Sequence, residues 1–187
     1  MRKCLFLALC LASFAYFGLT MNHLKTAPVI AYIGLGSNLA TPVAQIKSAR
    51  TAIAALAGVQ ELGFSSLYRS TPMGPQDQPD YVNAVMAIAT DLSPMALLRC
   101  LQSIENNQGR VRAGEQWGAR TLDLDVLMYG DQKIDLPDLT VPHKGLADRS
   151  FVLYPLFEIA PQLLVPGKGS IANLVATCPL AGLKRLD

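Results

Sequence analysis

Charge of one sign is what this chain most evidently lacks. Its 187 residues include 16 Lys and Arg against 14 Asp and Glu, which gives a formal net charge of +2 at pH 7. Proteins that bind nucleic acid concentrate positive charge to neutralise the phosphates. We therefore expect no nucleic-acid partner, and any charged site must be a local arrangement. At this length we expect one domain with a single sizeable core.

Cysteine is also sparse. The chain has four cysteines, and they lack the short spacing that ligates a zinc ion. They do not form the dense framework of a small disulfide-stapled domain either. We therefore expect neither zinc nor disulfides to organise the fold.

Two common phosphate-binding loops are missing from the sequence. No G-x-x-x-x-G-K-S/T segment occurs, which excludes chemistry of the P-loop type. Gly34 and Gly36 follow an apolar run, but Leu39 stands where the third glycine of a dinucleotide-binding loop belongs. No acidic residue follows at the distance that the ribose contact requires, so we reject the dinucleotide-binding interpretation.

The first twenty residues differ from everything after them. Arg2 and Lys3 precede an uncharged apolar run over residues 4 to 19, which has the form of a signal peptide or a short anchor. A second methionine, Met21, stands just before the globular pattern begins. The segment is therefore either a targeting leader or an extension from a misassigned start, and membrane association follows only if the leader is genuine.

Excluding the leader divides the chain simply. We expect residues 21–28 to be a linker and residues 29–187 to form a single domain. Within that domain, apolar residues in short runs or at period two predict strands, and apolar residues at helical spacing predict helices. The predicted strands cover residues 29–35, 59–69, 81–90 and 122–128, and helices are predicted at 42–57, 94–108 and 171–176.

The helix ends have their own signals. Thr41 is the expected N-cap of the first helix, with Pro42 at its first position, and Gly58 is expected to end it. Ser93 precedes a proline in the same way at the second helix. The segment from 70 to 80, S-T-P-M-G-P-Q-D-Q-P-D, contains three prolines in eleven residues and must be a loop. We call it the proline loop.

The strongest chemical signal is the strand L-D-L-D-V-L-M. Asp123 and Asp125 emerge from the same face because side chains alternate along a strand. Two carboxylates this close are costly to ionise together without a cation between them. Oxygen ligands favour a hard ion such as Mg²⁺, and nearby Arg120 suits a phosphate oxygen. The plainer alternative is an exposed edge strand with two solvated acids.

Other candidate residues are less specific. Tyr81 and Asn83 share a strand face and suit a flat heterocycle, although tyrosine on a strand is more often packing. Gln102 and Glu105 lie side by side at the edge of the second helix's apolar stripe, where a solvated face is the default. His143 follows a proline turn and is most simply structural.

A basic, glycine-rich segment leads directly into the acidic strand. Residues 109 to 120, G-R-V-R-A-G-E-Q-W-G-A-R, contain three glycines, three arginines and the chain's one tryptophan. Such a composition suits a flexible arm that closes over a polyphosphate better than it suits a core. We call this segment the basic arm.

Taken together, these motifs resemble the 6-hydroxymethyl-dihydropterin pyrophosphokinases of folate biosynthesis. The resemblance covers nearly all of the chain after the leader. It implies an α+β fold, a ferredoxin-like αβα sandwich around a mainly antiparallel sheet. It also implies transfer of pyrophosphate from ATP to the pterin, with AMP as the second product. The segments that carry it are G-S-N at 36–38, G-P-Q-D-Q-P-D-Y-V-N at 74–83, G-R-V-R at 109–112, W-G-A-R-T-L-D-L-D at 117–125, V-P-H at 141–143 and P-L-F-E-I-A-P at 155–161.

The resemblance also implies roles for individual residues. Asp123 and Asp125 would hold two Mg²⁺ ions along the triphosphate and, with Arg110 and Arg120, form the catalytic set. The implied pterin contacts are Ser70, Thr71, Pro72, Met73, Tyr81, Asn83, Trp117 and Phe151. The implied ATP contacts are Gln102, Glu105, Arg110, Arg112, Arg120, Val126, Thr140, His143 and Arg149.

The charges of these residues predict the chemistry. The pterin hydroxymethyl oxygen attacks the β-phosphorus of ATP in line, and the reaction depends on alignment and on neutralising the phosphate oxygens. No covalent enzyme nucleophile is required, and we assign no general base. ATP and the pterin are cytoplasmic metabolites, so we expect a cytoplasmic enzyme that acts as a monomer.

Two other functions remain open from the sequence. One is a different Mg-dependent phosphotransferase or nucleotide hydrolase on the same fold, and the other is a non-catalytic binding module anchored in a membrane by the leader. Tyr81 and Asn83 favour the pterin enzyme over the hydrolase. Retention of both aspartates with Arg120 argues against a module without activity.

Overall fold

The computed structural model describes residues 27–110 and 118–186. The leader and the centre of the basic arm, with Arg112 and Trp117, lie outside these ranges. No helix within them is long and apolar enough to cross a bilayer. The strands are β1 Val29–Ser37, β2 Val59–Phe64, β3 Leu67–Ser70, β4 Tyr81–Thr90, β5 Asp123–Tyr129, β6 Ile134–Leu136, β7 Leu139–Val141, β8 Leu164–Val165, β9 Gly169–Ser170 and β10 Lys184–Leu186, and the helices are α1 Pro42–Ala54, α2 Pro94–Asn107, α3 Ser150–Ile159 and α4 Ile171–Thr177.

An antiparallel sheet forms the centre of the described part. Its strand order is β10-β3-β4-β1-β5, and β2 pairs with the far half of β4. β1 is central, since it pairs with β4 along its whole length and with β5 on its other side. The chain order β-α-β-β-α-β with this sheet order confirms the predicted ferredoxin-like α+β fold, elaborated by β10, α3 and α4.

Helices cover both faces of the sheet and divide the core in two. On one face α1 and α2 pack through side chains such as Ile46 and Leu101 onto Ile33 of β1. On the other face α3 and α4 contribute Leu153 and Ile171 to a second cluster. Full burial of each such side chain contributes about 1.5–3 kcal/mol. The second cluster packs against Val85, Leu127 and Met128 of the sheet, whereas residues at the start of β4 and β5 line an open cavity on that face.

β5 contains an irregularity that the sequence pattern does not predict. Ile33 of β1 lies opposite Val126, but the next residue, Tyr32, lies opposite Met128, so Leu127 is an extra residue in β5. Leu127 and Met128 therefore both pack in the cluster with α3. A strict period-two pattern over the predicted strand 122–128 would place Met128 on the face of Leu122, Leu124 and Val126, and the extra residue moves it to the other face.

The predicted strand over residues 59–69 is two strands. Ser65 donates its N–H to the Val85 carbonyl at 2.9 Å, and its Oγ accepts the Val85 N–H at 2.9 Å. A side chain thus replaces a backbone carbonyl in the ladder, and regular pairing resumes at β3. β3 pairs with residues 81–83 and leads into the proline loop.

Helix boundaries agree with the sequence signals in part. Pro42 is the first residue of α1, but Thr41 has a left-handed backbone, φ 62°, and its side chain does not cap the helix. α1 also ends at Ala54, before Gly58, whose φ of 74° belongs to the turn into β2. Ser93 caps α2 as predicted, because its Oγ accepts the Ala96 N–H at 3.3 Å.

Candidate active site

Two glycines of β1 leave a trough on the face of the sheet opposite α1 and α2. Gly36 lies between Asn83 of β4 and Asp123 of β5, and Gly34 lies beside Asp125. Residues opposed across antiparallel strands point to the same face. The polar side chains of Asn83, Asp123 and Asp125 therefore surround a floor made of glycines, which have no side chain. A Cβ at Gly36 would lie 3.4 Å from Asn83 Oδ1. The glycines that we rejected as a dinucleotide loop thus hold the site open, a role that the sequence pattern does not reveal.

The trough is the floor of a cavity of about 260 Å³. Pockets for drug-sized ligands begin near roughly 300 Å³, so this volume suits a small ring system. An adjoining pocket of about 120 Å³ includes Pro72. The predicted site residues that line the main cavity are Ser70, Thr71, Met73, Tyr81, Asn83, Arg120, Asp123, His143, Arg149 and Phe151.

The polar groups of Asn83 and Tyr81 are held by neighbouring segments. Asn83 is 5% exposed and donates from Nδ2 to Ser70 Oγ at 2.9 Å. Tyr81 donates its hydroxyl to the Gly118 carbonyl at 2.9 Å, and burial raises the pKa of that hydroxyl. Both side chains therefore have a structural partner and still face the cavity.

Asp123 is the centre of a carboxylate–arginine cluster, which comprises Glu105, Arg110, Arg120 and Asp123. Arg120 Nη1 donates to both Asp123 oxygens at 2.8 Å. Arg110 Nη1 donates to Asp123 Oδ1 at 2.5 Å and also bonds Glu105 Oε1. Burial lowers the pKa of Arg110, but the charges of Asp123 and Glu105 outweigh it and raise the pKa.

The expectation that Glu105 lies on a solvated face of its helix is wrong. Glu105 is 3% exposed, and its Oε1 accepts the Leu124 N–H at 2.8 Å. Glu105 therefore holds both the start of β5 and the Arg110 side chain in place. Gln102, three residues earlier on the same helix, instead accepts from Arg99 Nη1 at 2.9 Å. Only one of the two residues is therefore joined to the cluster.

Asp125 has a different environment from Asp123. Its Oδ2 lies 3.9 Å from His143 Nε2, and its side chain keeps 41% of its surface accessible even though protein atoms surround the carboxyl group. Burial of the carboxyl group and repulsion by Asp123 raise the pKa of Asp125, although His143, Arg149 and Arg120 oppose this shift. His143 Nδ1 accepts the Gly145 N–H at 3.2 Å, which leaves the Nε2 atom facing Asp125.

The donor set fits a magnesium ion that takes its other ligands from a substrate. Within residues 27–110 and 118–186, no group of three or more His, Cys, Asp or Glu side chains is arranged to hold a metal. Mg²⁺ in phosphate-handling sites typically uses one or two carboxylates, with phosphates and water as the remaining ligands. Asp123 and Asp125 are such a pair, and the raised pKa of Asp125 is the electrostatic sign that a cation would stabilise it.

Several predicted nucleotide contacts do not line the cavity in the described part of the chain. Val126 is 3% exposed and belongs to the core against α1 and α2, so its side chain faces away from the trough. Thr140 lies in β7, opposite Asp135 of a hairpin. Arg112 and Trp117, being outside the described residues, stay predictions.

Known proteins resemble this chain over most of its length. A family model described as 7,8-dihydro-6-hydroxymethylpterin-pyrophosphokinase matches residues 32–161. The 2-amino-4-hydroxy-6-hydroxymethyldihydropteridine pyrophosphokinase of Haemophilus influenzae is 54% identical over 147 residues, covering 79% of this chain and 91% of that protein. The protein of the same name from Pseudomonas aeruginosa is 50% identical over 155 residues, covering 83% and 95%.

Solved structures resemble this chain in fold. A Plasmodium falciparum HPPK-DHPS chain with pterin and p-hydroxybenzoate superimposes with a TM-score of 0.66 at 13% identity, covering 88% of this chain and 48% of that chain. The wild-type form with pteroate gives 0.64 at 14% identity, covering 79% and 42%. This chain thus spans about half the length of those solved chains. From the family model and the curated relatives, the chain belongs to the 7,8-dihydro-6-hydroxymethylpterin-pyrophosphokinase family.

Proposed function

We propose that the protein transfers the pyrophosphoryl group of ATP to 6-hydroxymethyl-7,8-dihydropterin, giving AMP and the pterin diphosphate for folate biosynthesis. The observation that carries this proposal is that the carboxylate–arginine cluster opens into the cavity through Arg120 and Asp123, beside Tyr81, Asn83 and Phe151. The activity is the one for which the curated relatives are named.

The cavity supplies the contacts that a pterin needs. A pterin is a flat ring system with donors and acceptors along its edge, and Phe151 and Tyr81 offer apolar surface for it. Asn83 keeps unused hydrogen-bonding capacity beyond its one bond to Ser70, because an amide has two donors and a two-fold acceptor. The proline loop closes this side through Ser70, Thr71 and Met73.

Cationic residues also line this cavity. Arg120 and Arg149 line it, and Arg110 reaches it through Asp123. Their guanidinium groups match the geometry of phosphate oxygens and neutralise the charge that develops on them. Arg112 and Trp117 of the basic arm are proposed to join when the arm closes.

Asp123 and Asp125 would hold magnesium in this reaction. When bound, the metal supplies positive charge along the triphosphate and helps to align it. Arg110 and Arg120 form ion pairs with Asp123. We infer that the two arginines exchange this carboxylate for phosphate oxygens when the nucleotide binds.

The bond changes follow from this arrangement. The hydroxymethyl oxygen of the pterin forms a bond to the β-phosphorus, the bond from that phosphorus to the oxygen bridging to the α-phosphate breaks, and AMP leaves with that oxygen. The hydroxyl proton passes to solvent, and no enzyme atom becomes covalently attached. The residues contribute position and charge neutralisation, which account for most of the rate in phosphoryl transfer.

The experiment that tests the proposal is a product assay. Purified protein should convert Mg-ATP and hydroxymethyl-dihydropterin into AMP and the pterin diphosphate in equal amounts, and no AMP should form when the pterin is omitted. Production of ADP or free phosphate would instead favour a phosphotransferase of another type or a hydrolase. We also propose that the enzyme acts as a monomer in the cytoplasm, where both substrates are found.

A further inference from the structure

The motif G-S-N at 36–38 is one of the segments that carry the family resemblance, and beyond Gly36 it has no role in the site described above. Its last residue, Asn38, follows β1 and is 2% exposed. Its Nδ2 donates to Gln78 Oε1 and to the Pro79 carbonyl, both at 3.0 Å. Its Oδ1 accepts the Arg120 N–H at 2.7 Å, and its own N–H donates to the Arg120 carbonyl at 3.0 Å. One buried side chain therefore joins the proline loop to the segment that enters β5.

The proline loop depends on such side-chain donors. Its prolines have no N–H, so few backbone donors are present to satisfy its carbonyls. Gln76 Nε2 donates to the Pro72 and Gly74 carbonyls at 3.0 and 2.8 Å, and Gln78 Nε2 donates to the Pro75 carbonyl at 2.9 Å. Because Asn38 holds Gln78, its effect extends along the loop toward the residues that line the cavity.

The segment around Arg120 is fixed on the other side. Asn38 bonds the Arg120 backbone as both donor and acceptor, and Ser37 Oγ donates to the Thr121 carbonyl at 2.6 Å. These bonds set where the Arg120 side chain starts, and its guanidinium then reaches both oxygens of Asp123. A displacement of the backbone here would move the arginine away from the phosphates.

We propose that Asn38 is a positioning residue that sets the proline loop and Arg120 at a fixed separation, so that the pterin and the phosphates are aligned with each other. This inference rests on the proposed function. Asn suits the position because a single short side chain must donate to the loop and accept from the Arg120 N–H. Ala can do neither.

Two variants separate the two halves of this connection. Asn38→Ala removes the side-chain bonds to both segments, whereas Gln78→Ala removes the bonds with Asn38 and the Pro75 carbonyl and leaves the bonds between Asn38 and Arg120 in place. We expect Gln78→Ala to raise the KM for the pterin about fivefold with kcat nearly unchanged. Asn38→Ala should raise that KM about tenfold and also lower kcat about tenfold, as expected from losing several buried hydrogen bonds. Asn173→Ala, at an exposed position of α4, is the matched control and should equal the parent protein.

Hydrogen exchange on the ligand-free protein makes the test independent of the activity. Asn38→Ala should speed exchange in residues 70–80 and at the Arg120 amide, and Gln78→Ala should do so in residues 70–80 alone. Unchanged exchange in both variants, or a kcat in Asn38→Ala equal to that of the parent, would overturn the positioning role. Parent protein that makes no AMP, with exchange responding as expected, would overturn the proposed reaction and leave the connection between the two segments established.

Discussion

Arg110 and Glu105 form an ion pair in which the side chains are 14% and 4% exposed. Glu105 lies on α2 and is nearly inaccessible to water, and Arg110 and the Leu124 N–H are among the groups that stabilise its charge. Removing one member of a buried pair leaves the other charge with less compensation, which is more costly than removing both.

Arg110→Ala should therefore lower the free energy of unfolding by about 3 kcal/mol. The double variant Arg110→Ala/Glu105→Gln should recover part of that loss, since Gln can still accept the Leu124 N–H without carrying a charge. Denaturant unfolding of the parent, both single variants and the double variant measures the difference. Equal stability of the Arg110 single variant and the double variant would mean that Glu105 is not held as a buried charge.

Replacing Arg120 separates metal binding from nucleotide binding. Arg120 bonds both oxygens of Asp123, so Arg120→Ala leaves that carboxylate paired with Arg110 but removes a positive charge that competes with a metal ion. Calorimetry should show tighter binding of Mn²⁺ alone, by a few-fold, and weaker binding of a non-reacting Mg-ATP analogue, by about tenfold or more. The control is Arg50→Ala, which removes an exposed arginine paired with Glu61 on another face. A change of the same sign in both affinities would contradict the proposed exchange of partners.

Asp125 should destabilise the ligand-free protein at neutral pH. Burial and repulsion by Asp123 raise its pKa in the folded state. A raised folded pKa contributes stability that is complete below the unfolded value of about 3.9 and is lost as the pH rises through the folded value. Asn carries no charge at this position, so the Asp125→Asn variant does not lose this stability as the pH rises. Its melting temperature at pH 7 should exceed that of the parent, and its melting temperature should change less than the parent's between pH 4 and pH 8. Turnover should fall by about 10² to 10³.

A less stable Asp125→Asn protein at pH 7 would show that the ionised carboxylate is favourable even without a cation. The same scans repeated with Mg-ATP analogue should reverse the order. The parent gains stability from the ligand, whereas the variant lacks a metal ligand and gains less.

The contact between Tyr68 and Glu158 gives a second pH dependence, far from the carboxylate pair. Tyr68 donates its hydroxyl to Glu158 Oε2 at 2.7 Å, and burial together with this bond raises the pKa of Tyr68 to about 12. The bond therefore stabilises the fold below the unfolded pKa of about 10, and this contribution is lost as the pH rises toward 12. Tyr68→Phe should cost about 1 kcal/mol at pH 8.

The difference between parent and Tyr68→Phe should shrink above pH 10. Chemical denaturation at a series of pH values measures it. Neither Tyr68 nor Glu158 lines the cavity, so the KM for either substrate should stay unchanged. A pH-independent difference would mean that the phenol and the carboxylate are not coupled.

The leader should be dispensable for catalysis. The family model begins at residue 32, and the described fold begins with β1 at Val29. A chain that begins at Met21 should therefore have the same kcat, both KM values and melting temperature as the full chain. Sequencing the N-terminus of the protein from its native host, with fractionation of the cells, identifies the start. A product that begins at Met1 and is found in the membrane fraction would show that the leader is a genuine anchor.

Local patterns predict much of this molecule because some elements are determined by their own residues. A run of apolar residues predicts β4 from Tyr81 to Thr90, and Ser93 predicts the start of α2. The shared face of Asp123 and Asp125 follows from strand geometry alone and is unaffected by the irregularity at Leu127.

The remaining features depend on partners that the fold brings from elsewhere. Glu105 is buried because Arg110 and Leu124 meet it, and the break at Ser65 needs the Val85 backbone. β10 joins the sheet by pairing with β3, more than a hundred positions earlier in the chain. A pattern within a short stretch of sequence carries no information on contacts between distant parts of the chain. These features are therefore seen only in the folded structure.

The extra residue in β5 allows the two halves of one strand to be altered separately. Upstream of Leu127 the strand presents carboxylates to the trough, and downstream it presents Leu127 and Met128 to the apolar packing with α3. A substitution at Met128 can therefore change how firmly α3 is attached without turning Asp123 or Asp125. Substitutions at Met128 should therefore change thermal stability, and substitutions at Asp123 or Asp125 should change metal affinity, each without affecting the other property. Deleting Leu127 would remove the extra residue and would affect both properties at once.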